Sequence, residues 1–129
     1  MPSTLPRRPT ILIVEDDRST SDFVRDALEA EGFRCVPASE GHLALELARD
    51  ERPSLITLDI ELPDTNGHAI LHGLKHDSTT ADIPVVVVSA YDRALPDHDH
   101  TNLAGYLVKP LDVDALADTV HAALDRPAV

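Results

Sequence analysis

An α/β fold, a parallel sheet covered by helices on both faces, is predicted by three features of this 129-residue sequence. The runs TILIV, LITL and VVVV are continuously apolar and largely β-branched, the pattern of strands buried on both sides. Segments with apolar residues at helical spacing alternate with them, as crossovers between parallel strands require. Hydrophobic residues make up 43% of the chain, yet with no Trp, two Phe and two Tyr the core must be aliphatic. A chain of this length can bury such a core as one domain.

Taken in order, residues 1–9 hold three prolines and two arginines and read as a flexible tail. The domain is expected over residues 10–126, with 127–129 as a second tail. Thr10–Val14 is the first buried strand. Residues 19–31 form a helix with Val24, Ala27 and Leu28 on one stripe, stopped by Gly32. Arg34–Ala38 is a weaker strand, which Pro37 places near a sheet edge. Residues 41–51 form a helix with Leu43, Ala44, Leu47 and Ala48 inward. Leu55–Asp59 is a buried strand ending on a carboxylate. A loop with Pro63, Asn66 and Gly67 leads into a helix reaching about Asp77. Residues 83–89 and Gly105–Val108 are the last strands. A helix over residues 112–125 closes the chain, with Val113, Leu116, Ala117, Val120 and Leu124 at helical spacing. Five such strands fit a doubly wound, flavodoxin-like sheet of order 2-1-3-4-5, in which ligands bind beyond the carboxyl ends of the strands.

Those ends carry the polar residues. Glu15, Asp16 and Asp17 follow the first strand, Asp59 ends the third with Glu61 two residues on, Ser89 ends the fourth and Lys109 follows the fifth. In a parallel sheet all of them converge. Clustered carboxylates raise one another's pKa, and a hard divalent cation such as Mg²⁺ relieves the repulsion with oxygen ligands. Asp59 then stands as a nucleophile toward a phosphoryl group, with Lys109 and the Ser89 hydroxyl placed to meet phosphoryl oxygens. Alone, each has a bland reading: an acidic run is a solvated loop, and a strand-end Asp is a helix cap. Their joint occurrence in this chain order is the signal.

Composition excludes other classes. Eleven basic against 23 acidic residues give a net charge of −12, which argues against nucleic-acid binding through a basic surface. The single cysteine, Cys35, rules out an internal disulfide and suits a reducing compartment. No apolar run approaches a membrane span, and MPSTLPRRP lacks the apolar middle of a signal peptide, so a cytoplasmic location is expected.

With ILIVEDD, LDIELPDTNG, VVVVSAY and GYLVKPLD in this order, the sequence resembles a response-regulator receiver domain of two-component signalling. The resemblance runs from about Thr10 to Asp125. It implies that Asp59 is the phosphoacceptor for a histidine kinase or histidine phosphotransfer domain. It implies that Asp16, Glu15, Asp59 and the Glu61 backbone carbonyl hold Mg²⁺ or Mn²⁺. Ser89 and Lys109 match the family's hydroxyl and lysine, Tyr106 its switch aromatic, and the Lys109–Pro110 bond is expected to be cis. Phosphorylation would draw Ser89 inward, let Tyr106 turn, and change the surface around residues 90–125 for an unidentified effector. Glu61 and Tyr91 flank the path of an attacking water and would tune the lifetime of the acyl phosphate. Glu61 either positions water or adds repulsion. Such a module is not a turnover enzyme, being limited to self-phosphorylation from a phosphodonor and slow autodephosphorylation. A monomer or weak dimer is expected, and the short tails favour a single-domain regulator over a receiver cut from a longer chain.

Two alternatives remain open at this stage. A phosphatase or phosphotransferase of the haloacid-dehalogenase type also uses a strand-end Asp with an acidic residue two positions later. A histidine-rich, metal-responsive module would use His68, His72 and His76, spaced along one helix face, together with His98 and His100. A solvated or pH-responsive face suits the three helical histidines better. The segment PDHDHTN, residues 96–102, has a proline followed by no apolar residue. The helix usual between the fourth and fifth strands is therefore expected to be short or absent, leaving a mobile, order–disorder element in the switch.

Overall fold

The computed structural model describes residues 8–63, 66–91 and 103–125. Five parallel strands, β1 (Thr10–Val14), β2 (Arg34–Ala38), β3 (Leu55–Asp59), β4 (Val85–Ser89) and β5 (Gly105–Val108), lie in the order β2-β1-β3-β4-β5. Four α-helices occur among the described residues: α1 (Arg18–Ala30), α2 (Ala44–Glu51), α3 (Gly67–Lys75) and α4 (Val113–Leu124). The doubly wound sheet expected from the sequence is the one observed.

Strand periodicity divides the aliphatic residues between two layers. Ile11, Ile13, Leu55 and Val86 meet Val24 and Leu28 of α1 and Leu116 and Val120 of α4. Leu12, Val14, Ile56, Leu58, Val85 and Val87 meet Ala44 and Ala48 of α2 and Ile70, Leu71 and Leu74 of α3. Each fully buried Leu, Ile or Val contributes about 1.5–3 kcal/mol of transfer free energy, so the central strands dominate the stability. Pro37 lies on edge strand β2, as expected, opposite Ile13.

The boundaries follow local hydrogen bonding. Asp17 caps α1, its carboxylate accepting the Thr20 N–H at 2.9 Å and the Thr20 hydroxyl at 2.6 Å. Gly32, at φ 96°, takes the left-handed turn that ends this helix. The helix expected from residue 41 opens instead as a 3₁₀ turn, Gly41–Leu43, before α2. β4 starts at Val85 rather than residue 83, because Pro84 has no N–H; its carbonyl still accepts the Ile56 N–H. On α4, Val113 is 47% exposed, so the inward stripe begins at Leu116 rather than Val113. Pro9, assigned to the tail by sequence, accepts the Arg34 N–H at 2.9 Å, so the β1–β2 pairing reaches back to it.

α3 stops at Lys75, short of the expected Asp77, because Asp77 starts a turn. Its carboxylate accepts the Thr79 N–H at 2.9 Å and hydroxyl at 2.6 Å, and Arg49 Nε lies 2.7 Å away. These bonds, those to Thr79 first, hold its pKa down at about 2 against an ordinary 3.8. A depressed folded-state pKa gives stability that is present above pH 3.8 and lost as pH falls toward 2. Asp77→Asn is therefore expected to flatten the acid limb between those values, as measured by urea denaturation at stepped pH.

His68 and His72 lie on the outward side of α3 and His76 caps its C-terminus, with the His72 and His76 rings stacked at 3.8 Å. The expectations for residues 92–102, including the reduced helix, its mobility and a role for His98 and His100, lie outside the described residues. So do the tails, apart from Arg8 and Pro9.

Candidate functional site

At the carboxyl edge of the sheet the parallel register brings together the ends of β1, β3, β4 and β5. Glu15 is 4% exposed, Asp59 2% and Ser89 fully buried, which is unusual for polar groups and requires partners. Lys109 supplies one: its Nζ lies 3.0 Å from Glu15 Oε1 and 3.3 Å from Asp59 Oδ2. The other Asp59 oxygen, Oδ1, accepts the Glu61 N–H at 2.9 Å. Glu15 Oε2 accepts the Asp17 N–H at 3.2 Å.

Electrostatics at this edge are under tension. Burial, then the adjacent Asp59 carboxylate, pushes the Glu15 pKa up to about 7. Burial also works against the Lys109 charge, but Glu15 and Asp59 outweigh it and hold the lysine above its ordinary value. Glu15, Asp16 and Asp59 each present a carboxylate oxygen, all within 4.8 Å of one another. An oxygen-only, partly exposed set with mutual repulsion is the donor chemistry of a hard divalent cation. Among the described residues this is the one group of three or more such ligands, and it includes no histidine.

The acidic run EDD, ambiguous in sequence, divides cleanly. Glu15 and Asp16 face the site, whereas Asp17 is neither a ligand nor a solvated loop residue but the N-cap of α1. The Lys109–Pro110 bond is cis, as the resemblance implied. A cleft of about 540 Å³ opens beside Lys109, lined by Ser19, Thr20, Phe23, Pro110 and Leu111.

Sequence reasoning missed where Glu61 goes. Its carboxylate reaches across to β4, where Oε2 accepts the Ser89 hydroxyl at 2.7 Å and Oε1 the Ala90 N–H at 2.6 Å. Ser89 Oγ also accepts the Tyr91 N–H at 3.0 Å, and the Tyr91 carbonyl accepts the Tyr106 hydroxyl at 2.7 Å. Tyr91 is itself 66% exposed. Only the proximity of β3 and β4, a tertiary fact, makes the Glu61 contact readable.

The sequence matches the family described as "Response regulator receiver domain" over residues 11–121. It is 34% identical over 118 residues to the polar-differentiation response regulator DivK of Brucella anthropi, covering 89% of this chain and 95% of that one. A sensor protein from Polaromonas sp. JS666 superposes with a TM-score of 0.86 at 34% identity, covering 92% of this chain and 98% of the other. The chemotaxis response regulator CheY4 of Vibrio cholerae, at 22% identity, shares the fold with a TM-score of 0.82, covering 91% of this chain and 99% of its own. The haloacid-dehalogenase and histidine-module alternatives find no support here. No helix among the described residues is long and apolar enough to cross a membrane.

Proposed function

The chain belongs to the response regulator receiver domain family of two-component signalling, and on that premise we propose that Asp59 is its phosphoacceptor. The carrying observation is the convergence of Glu15, Asp16, Asp59, Ser89 and Lys109 at one sheet edge. The donor is a phosphohistidine on a histidine kinase or histidine phosphotransfer domain. An Asp59 carboxylate oxygen attacks phosphorus; the O–P bond forms as the P–N bond breaks. The imidazole leaves with the electron pair and takes a proton from solvent.

Each neighbour has a role in this reading. Lys109 pairs with a phosphoryl oxygen as charge moves onto Asp59, and Ser89 donates to another. Glu15, Asp16, Asp59 and the Glu61 main-chain carbonyl would hold Mg²⁺ or Mn²⁺. When bound, the cation neutralises charge on the transferring phosphoryl group. Tyr106 carries the change outward through its bond to the Tyr91 carbonyl, and the surface around residues 90–125 alters its affinity for a protein effector. Tyr91 and Glu61 set the lifetime of the acyl phosphate. The cleft beside Lys109 gives the donor an apolar edge next to the acceptor. The module is a cytoplasmic switch rather than a turnover enzyme, and works as a monomer or weak dimer.

Incubation with Mg²⁺ and acetyl phosphate, or with a phosphorylated kinase, tests this. The expected product carries one alkali-labile phosphoryl group per chain, and chelation of the cation suppresses it. Absence of labelling from every donor, or multiple turnover of phosphate esters, would overturn the reading.

A further inference from the structure

A continuous chain of hydrogen bonds runs from the residue two past Asp59 to the aromatic on β5. Glu61 takes the Ser89 hydroxyl and the Ala90 N–H, Ser89 Oγ takes the Tyr91 N–H, and the Tyr91 carbonyl takes the Tyr106 hydroxyl. Both Glu61 carboxylate oxygens are engaged, by two donors side by side at the end of β4. Two anionic oxygens meeting a hydroxyl and an adjacent N–H is also what a phosphoryl group on Asp59 would demand of this strand end.

Resting on the phosphoacceptor role of Asp59, we infer that Glu61 is an internal competitor that holds the Ser89 hydroxyl and the Ala90 N–H until a phosphoryl group displaces it. Glu61 is a positioning residue, acting through Ser89 and not on the reacting atoms. Its exposed location lets the released carboxylate return to water at little cost, whereas Ser89 is fully buried and must always find an acceptor. The phosphoryl group carries about −1.5 to −2 charges, so the two anions repel and cannot share the donors. Switching is thus an exchange of one anion for another. Because Ser89 is linked to Tyr91, and Tyr91 to Tyr106, the exchange is transmitted to β5 by bonds already made.

The rival explanation is plain repulsion, in which the Glu61 charge only discourages anionic donors. Reach separates the two. Glu61→Asp keeps the charge but is one methylene shorter and forfeits both bonds; Glu61→Ala loses charge and bonds; Glu61→Gln keeps the shape with one acceptor oxygen. The probes are Mg²⁺ with beryllofluoride, a phosphoryl analogue, titrated while the Ala90 amide is followed by NMR, and Mg²⁺ with acetyl phosphate for labelling. Competition predicts that Glu61→Ala and Glu61→Asp both bind beryllofluoride roughly tenfold more tightly, within the usual range of coupling between sites. Glu61→Gln falls between them and the wild type, and the Ala90 amide proton shifts upfield in the unliganded Ala and Asp variants. Glu61→Asp matching the wild type, or no variant differing from it, would overturn the inference. The near-isosteric Gln variant and the Ala90 shift on titrating wild-type protein decide the matter if Glu61→Ala fails to fold. Labelling of Asp59 with unchanged Glu61 variants sinks the competitor alone, whereas wild-type protein that accepts no label sinks the phosphoacceptor reading and this one with it.

Discussion

Asp59→Asn is expected to lower Mg²⁺-dependent labelling to background, because removing a nucleophile costs on the order of 10⁶-fold in rate. Asn keeps the size of the side chain and can still accept the Glu61 N–H through its carbonyl oxygen, but an amide does not attack phosphorus. Stability should not suffer. Glu15 loses the like charge that helps to hold its pKa near 7, and Lys109 retains Glu15 at 3.0 Å. The variant should therefore melt no lower than the wild type while accepting no phosphoryl group. Intact-mass measurement of labelling, paired with thermal denaturation, checks both halves. Labelling that persists in a folded Asp59→Asn variant would place the acceptor elsewhere.

Gly67→Ala is expected to cost about 3 kcal/mol, at the upper end of overpacking effects, and to lower Tm by roughly 10 °C. A Cβ at this position would sit 2.5 Å from Ile60 Cα and 2.6 Å from its carbonyl oxygen, and backbone cannot swing aside as a side chain can. Gly67 opens α3 and donates its N–H to the Ile60 carbonyl at 3.2 Å. Ile60 in turn separates Asp59 from Glu61. Relief must push the start of α3 outward or shift the main chain beside Asp59, so labelling should fall along with stability. Gly73→Ala is the control. There the nearest atom is a Leu45 methyl at 3.1 Å, which can rotate, and Ala favours the helix by about 1 kcal/mol. A near-neutral Gly73→Ala beside a strongly destabilised Gly67→Ala, measured by chemical denaturation, supports the distinction; equal melting points would refute it.

The sheet was legible because strands buried on both faces must be apolar throughout, so TILIV, LITL and VVVV announce themselves. Parallel order then brings Glu15, Asp59, Ser89 and Lys109 to one edge without further information. Less was readable where local chemistry competes with periodicity. Asp77 forms a turn with Thr79 and shortens α3, and Pro84 delays β4, both within a few residues of a correct assignment. The three acids after β1 look alike in sequence, and only the placement of α1 makes Asp17 a cap. Glu61 was recognised by its spacing from Asp59, but its partners lie 28 and 29 residues away. Those contacts could not be read before β4 was in place.

Each oxygen of Asp59 is engaged by its own donor, one by a main-chain N–H and the other by Lys109. The carboxylate is thereby denied the rotation about its last bond that a surface aspartate enjoys. Aligning a nucleophile with its target ordinarily sacrifices entropy at each encounter. Here that freedom is surrendered once, as the chain folds, so that on the proposed role of Asp59 an arriving donor would meet an oxygen whose direction is already fixed.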